Sequence, residues 1–245
     1  MNMIGTIKNY LKQRTPAPTE MAVVEAYDIW SVSYDSQPGN LMIDLDELIF
    51  SNLIRNIDIE NKSIADIGCG TGRHWQKLYE RSPASITGYD VSQGMLDKLK
   101  QKFPQAISIR VTDNLLKDVP AASFDVIVST LTIAHIENLR ELISSWARVL
   151  KTGGEIIITD FHPAILAVGG KRSFQHGSNS FSVVNYIHGV DDIKNEFARL
   201  GFTLVAQQER YIDEAVRSYY ENKQAIHIYN RYKGMPVIYG LHLKK

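Results

Sequence analysis

The run Ile64-Ala65-Asp66-Ile67-Gly68-Cys69-Gly70-Thr71-Gly72-Arg73 constrains this chain more than any other stretch. A strand-sized apolar segment leads straight into three alternate glycines, and a helical stretch with Trp75, Leu78 and Tyr79 follows. Glycine tolerates positive φ and close backbone approach, which a strand-to-helix turn over a ligand needs. A tight turn with no ligand satisfies the same residues, so the loop alone does not decide. Its spacing removes two alternatives. A dinucleotide fingerprint requires glycine at position 73, where Arg73 stands. A phosphate-cradling loop requires a closing Gly-Lys-Ser/Thr, which is absent.

The surrounding pattern alternates as a parallel sheet demands: short β-rich runs, then longer amphipathic stretches. Strands are expected at 63–67, 85–89, 107–111, 124–130 and 155–160. Residues 92–103 place Met95, Leu96, Leu99 and Phe103 on one helical face, with Ser92 as N-cap. Residues 137–150 do the same with Leu142, Ile143, Trp146 and Ala147, before Gly153-Gly154. A helix at 191–200 stops at Gly201, and two more strands follow at 203–209 and 236–243. The expected fold class is α/β, a doubly wound, mostly parallel seven-stranded sheet. Ligands in such sheets bind beyond the carboxyl ends of the strands.

Those strand ends carry an ordered set of motifs. Asp66 precedes the glycine loop, and the second strand closes at Gly88-Tyr89-Asp90-Val91-Ser92, where an acidic side chain can accept both ribose hydroxyls of a nucleoside. The third ends at Val111-Thr112-Asp113-Asn114-Leu115, the fourth is Phe124 to Leu131, and Leu150-Lys151-Thr152-Gly153-Gly154 leads into the fifth. From about residue 60 to 160 the chain resembles the class I S-adenosylmethionine (SAM)-dependent methyltransferases, and within them the ubiquinone/menaquinone-biosynthesis type that acts on small molecules. Ser129 to His135 and Trp30-Ser31-Val32-Ser33-Tyr34-Asp35 carry that finer likeness, although Ala134-His135 stands where such enzymes often have two histidines. The resemblance implies a Rossmann-like methyltransferase fold and SAM as cofactor, leaving S-adenosylhomocysteine as product. It implies cofactor contacts from Asp66, Gly68, Cys69, Gly70, Gly72 and Arg73 in the loop. Asp90, Val91 and Met95 would follow, then Asp113, Asn114, Leu115 and Thr130. A non-catalytic SAM-binding regulatory or scaffold module fits the same residues and stays open.

A sulfonium methyl is already activated, so transfer is an in-line displacement that needs chiefly alignment, and a base only where the acceptor must lose a proton. The acceptor is expected above the strand ends, under an N-terminal helical lid and an insertion at about 163–190. Tyr27, Trp30 and Tyr34 recur at helical spacing, a stripe that core packing explains equally well. The insertion reads as a β-hairpin turning at Gly177-Ser178-Asn179, and it brings Arg172 and Tyr186. His162, His135 and His188 lie at predicted strand ends or loops on that side, with His162 the first choice as base. No metal-ligand spacing recurs among the histidines. Tyr219, Tyr220, Tyr229 and Tyr232 suit either an acceptor pocket or a dimer contact.

Composition bounds the rest. Twenty-seven basic and 27 acidic residues give zero formal charge, with no concentrated basic face for nucleic acid. One cysteine excludes an internal disulfide and favours a reducing compartment. The apolar runs are strand-sized, and no signal peptide is evident. The reading is a cytoplasmic protein without membrane or nucleic-acid partners, monomeric or homodimeric. Residues 1–45 are expected to form an arm and lid, and 46–245 the catalytic domain.

Overall fold

The computed structural model of the protein describes residues 18–245. Most of the polar arm read at the N-terminus lies outside them. The strands are β1 (Thr19–Met21), β2 (Ser63–Ile67), β3 (Ser85–Asp90), β4 (Ile107–Arg110), β5 (Phe124–Thr130) and β6 (Leu150–Phe161). After them come β7 (Ser173–His176), β8 (Asn179–Val183), β9 (Thr203–Tyr211) and β10 (Pro236–Lys244). The helices are α1 (Val23–Trp30), α2 (Leu41–Ile54), α3 (Trp75–Tyr79), α4 (Gln93–Lys102) and α5 (Leu139–Val149). The later ones are α6 (Pro163–Ala167), α7 (Val190–Arg199), α8 (Arg217–Asn222) and α9 (Ile226–Tyr232). No helix among the described residues is long and apolar enough to cross a membrane.

Seven strands form one sheet in the order β4-β3-β2-β5-β6-β10-β9, parallel except for β10, which runs antiparallel to β6 and β9. Successive side chains of a strand point to opposite faces, so a strand buried on both sides must be apolar throughout. In β5, Val126 and Val128 pack with Ile49, Phe50 and Leu53 of α2, while Ile127 faces Leu142 and Trp146 of α5. The order reverses between β2 and β5, and the glycine loop follows β2 at that switch point. All seven expected sheet strands are present, each within a few residues of the sequence reading.

The lid differs from the expectation. The hairpin β7–β8 is there, but Thr19–Met21 pairs in parallel with β8, so residues on either side of the sheet domain make one three-stranded sheet. Trp30 stacks on Phe174 at 4.7 Å between ring centroids, in a small core with Ala26, Met95 and Val183. The expected division at 45/46 falls inside α2, which Asn40 caps through the N–H groups of Met42 and Ile43. That helix buries Leu45, Ile49, Phe50 and Leu53 and cannot be divided between two units.

Candidate active site

The glycine loop is shaped by what surrounds it. Gly68, Gly70 and Gly72 all have positive φ, at 71°, 53° and 70°. A Cβ on Gly68 would stand 2.1 Å from Thr132 Oγ1, and one on Gly72 would stand 2.2 Å from Leu99. At Gly70 a Cβ meets nothing within 4 Å. Two of these glycines therefore permit tight packing, and the third faces open space. The N–H groups of Gly68 and Cys69 donate to Tyr89 O, and that of Gly70 donates to the Asp90 carboxylate at 2.8 Å.

Two buried tryptophans hold the polar residues around the loop. Trp75 Nε1 donates to Asp66 at 2.7 Å, and Trp146 Nε1 donates to the backbone carbonyl of Asn114 at 2.9 Å. The helices that cover opposite faces of the sheet thus aim residues at the strand ends. Burial pushes the carboxyls of Asp66 and Asp90 up to about 6, despite the indole N–H on the first and the Ser92 and Gly70 N–H groups on the second. The Cys69 thiol is pushed well up by burial, so it stays neutral.

A cavity of about 440 Å³ opens on the loop. From the expected cofactor set it gathers Gly68, Gly70, Asp90, Val91, Met95, Asn114 and Thr130. A second space of about 310 Å³ shares Tyr34, Gly68, Gly70 and Thr130 with it and adds Asp66, Cys69 and Arg73. Gly72 packs against Leu99, and Asp113 and Leu115 line neither cavity. The Asp113 carboxylate instead accepts from the Leu115 N–H, closing the turn that presents Asn114.

Three buried polar atoms lack hydrogen-bond partners here; one of them, His74 Nδ1, lies 3.2 Å from the Glu47 carboxylate. Asn114 Oδ1, an acceptor, belongs to the 440 Å³ cavity, and Arg73 Nη1, a donor, to the adjoining space. The rest of the Arg73 guanidinium is anchored: its Nη2 donates to Asp46 of α2, which also accepts from His74 and Thr159. Burial opposes ionisation of Asp46, but Arg73 and His74 outweigh it and hold the carboxyl below its usual range. A buried acceptor at one end and a buried donor at the other fit a ligand with an amine at one end and a carboxylate at the other.

The lid completes the cavity. Val23, Tyr27 and Tyr34 line it from above, and His135 lines it from the β5 side. Asp28 of α1 accepts from Ser92 Oγ and the Gly94 N–H at the start of α4, an anion at a helix N-terminus. Asp35 accepts from Thr71 Oγ1 in the loop at 2.7 Å. Arg172, delivered by the insertion, is buried and donates to Tyr27 Oη at 2.8 Å, to Asp160 at 2.8 Å and to Leu131 O at 2.5 Å.

The expected bases fare differently. His135 donates from Nδ1 to Val184 O, while Nε2 accepts from Tyr27 Oη at 2.9 Å and from Arg172. Burial, followed by the Arg172 charge, holds it well below its ordinary value. Its Nε2 lone pair thus faces two donors. His162 caps α6, with Nδ1 accepting from the Ala164 N–H, and its Nε2 lies 3.7 Å from Glu209. His188 donates to Ile136 O. Neither His162 nor His188 lines the 440 Å³ cavity, and Tyr186 shares a separate small one with His188. Trp30, Tyr34 and Arg172 line a cavity of about 720 Å³ next door.

Leu131 and Thr132 went unrecognised in the sequence. Leu131 has φ 56°, an uncommon conformation for a branched side chain, and borders both large cavities. It falls within the Ser129 to His135 stretch, which does not single it out from its neighbours.

A sequence profile described as a methyltransferase domain matches residues 65–158, the segment from β2 to β6 that carries the loop. The biotin biosynthesis bifunctional protein BioHC of Cellvibrio japonicus is 29% identical over 188 residues, covering 76% of this chain and 35% of that protein. The ubiquinone/menaquinone biosynthesis C-methyltransferase UbiE of Campylobacter jejuni is 34% identical over 104 residues, 40% of this chain and 44% of that one. The chain thus spans less than half the length of either curated relative. A solved S-adenosylmethionine-dependent methyltransferase from Mesorhizobium loti aligns with TM-score 0.62 at 17% identity, over 81% of this chain and 96% of that one. The chain therefore has a Rossmann-like α/β fold like that structure's, the fold class expected from the sequence.

Proposed function

We propose that the protein binds S-adenosylmethionine across the paired cavities at the glycine loop and transfers its methyl group to a small molecule in the 720 Å³ cavity. The observation that carries this reading is the pair of orphaned buried atoms, Asn114 Oδ1 and Arg73 Nη1, at the two ends of a space bordered by Gly70 and Asp90. Asn114 would take the adenine amine, Asp90 the ribose hydroxyls, and Arg73 the carboxylate of the amino-acid end, with Asp66 beside its amino group. When bound, the cofactor supplies an activated sulfonium methyl.

The protein's own task is then alignment and exclusion of water. Tyr34 and Leu131 border both the cofactor space and the larger cavity, so an acceptor has a place next to the cofactor. That adjoining cavity favours an enzyme over a non-catalytic binding module. Tyr27 stays a neutral phenol because burial raises it beyond its ordinary range, and His135 is engaged by Tyr27 and Arg172. These roles suit an acceptor already nucleophilic at neutral pH. A cytoplasmic setting agrees with the single buried Cys69.

The test is transfer of labelled methyl from S-adenosylmethionine to quinone precursors, phenols, amines and carboxylates. Label in a small product, with S-adenosylhomocysteine formed in equal amount, is the expected result. Tight cofactor binding with no transfer to any acceptor class would favour the non-catalytic module.

A further inference from the structure

The 720 Å³ cavity is lined by three cationic side chains, Lys171, Arg172 and Lys223, and by no carboxylate. The whole chain balances its acidic and basic residues, so this lining is a local excess of one sign. The three charges are neutralised to different degrees. Arg172 is paired with Asp160 at 2.8 Å, although its Nε has no hydrogen-bond partner. Lys171 stands 3.6 Å from Glu20 with both side chains exposed, an arrangement that water screens strongly. Near Lys223, Glu214 and Glu221 pair with Arg217, and Glu214 also with Lys233. Lys223 itself enters no ion pair among the described residues.

The remaining lining is apolar or neutral. Leu41, Met42 and Phe161 supply hydrocarbon surface, and Trp30 adds a second buried donor without a partner, its Nε1. The first turn of α2 belongs to the same wall, presenting the positive end of a 14-residue helix. Cations at the edge, unsatisfied donors deeper in and an apolar wall together define an amphiphilic anion as the occupant.

The geometry points to a methyl acceptor that carries an anionic group, a carboxylate, sulfonate or phosphate, on an apolar body. Lys171 and Lys223 hold the anion, and the apolar part lies against Leu41, Met42 and Phe161. Tyr34 and Leu131 border both this cavity and the cofactor space, so the acceptor lies next to the cofactor. The inference rests on the methyl-transfer reading and adds the charge class of the acceptor to it.

Two fluorescent probes test it on the full chain: anilinonaphthalene sulfonate, an aryl anion, and uncharged phenylnaphthylamine of nearly the same shape. The sulfonate is expected to bind saturably and the amine more weakly. In the double variant Lys171→Ala/Lys223→Ala, both exposed positions, sulfonate affinity is expected to fall by about tenfold or more with amine binding unchanged. Equal binding of the two probes, no saturable binding of the sulfonate, or an unchanged double variant would each overturn the inference. Calorimetry with S-adenosylhomocysteine is run separately, and the probe titrations are made with and without it. Failure of that titration counts against the cofactor reading alone, while the probe contrast still decides the charge class.

Discussion

Arg172 Nη1 donates to the hydroxyl of Tyr27 across 2.8 Å, joining the insertion after β6 to the helix that precedes the sheet. The two residues are 145 positions apart, and both stand over the cofactor space through His135 and Leu131. Removing the guanidinium leaves Asp160 buried and unpaired. Arg172→Ala is expected to lower unfolding free energy by about 3–5 kcal/mol, and Tyr27→Phe by about 1 kcal/mol. Urea unfolding measures both; a loss below about 1 kcal/mol for Arg172→Ala would mean that the clamp contributes little.

The glycines of the loop separate packing from binding. Gly68→Ala drives a Cβ into Thr132 in a left-handed conformation, and is expected to cost several kcal/mol of stability. Gly70→Ala carries only the backbone strain, about 1–2 kcal/mol, because its Cβ enters open space. That space is where the cofactor is proposed to lie. Gly70→Ala should therefore keep the protein folded and weaken S-adenosylhomocysteine binding more than tenfold, or about 1.4 kcal/mol. A variant at position 70 that binds as the wild type does would put the ligand elsewhere.

Acid should weaken cofactor binding. Burial raises Asp90 to about 6, so below that value the folded protein holds a proton where ribose hydroxyls need a carboxylate to accept from. Affinity is expected to be flat above about pH 6 and to fall below it by up to about tenfold per unit, with Asp66 adding to the slope. Linkage gives the opposite sign for the stability of the free protein. A carboxyl raised on folding contributes fully below the ordinary carboxylate range and loses that contribution as pH rises through about 6. Titration calorimetry at several pH values checks the binding limb. Asp90→Asn should weaken binding and make the remaining pH dependence shallower; affinity that improves toward acid would contradict the assignment.

The sequence pattern makes His162 the first choice as base, and a base lost from the site slows turnover. The structure assigns it to the start of α6, outside the cofactor cavity. His162→Ala is now expected to cost about 1 kcal/mol of stability through the lost cap and to leave turnover per folded molecule unchanged. A large fall in kcat with normal stability would restore the catalytic reading.

The sheet and the loop were legible because their determinants are local. Two-sided burial makes Val126 to Val128 of β5 and Ile156 to Ile158 of β6 continuously apolar, and positive φ favours glycine at 68, 70 and 72. The lid was legible only in part. The hairpin announced itself at Gly177, but the pairing of Thr19–Met21 with β8 is set by contacts across 162 positions that no local pattern encodes. For the same reason the sequence singled out His135 without revealing that Arg172 and Tyr27 face its lone pair. Asp28 and Asp46 have ordinary sequence surroundings. Their roles come from where α1 and α2 pack, against the start of α4 and the glycine loop.

The space between Asn114 and Arg73 is proposed to hold S-adenosylmethionine. Calorimetric titration of the wild-type chain and of Gly70→Val with S-adenosylhomocysteine tests it most directly. One equivalent bound by the wild type and none by the folded variant is the predicted result. No binding to the wild type, or equal binding to both, would contradict it.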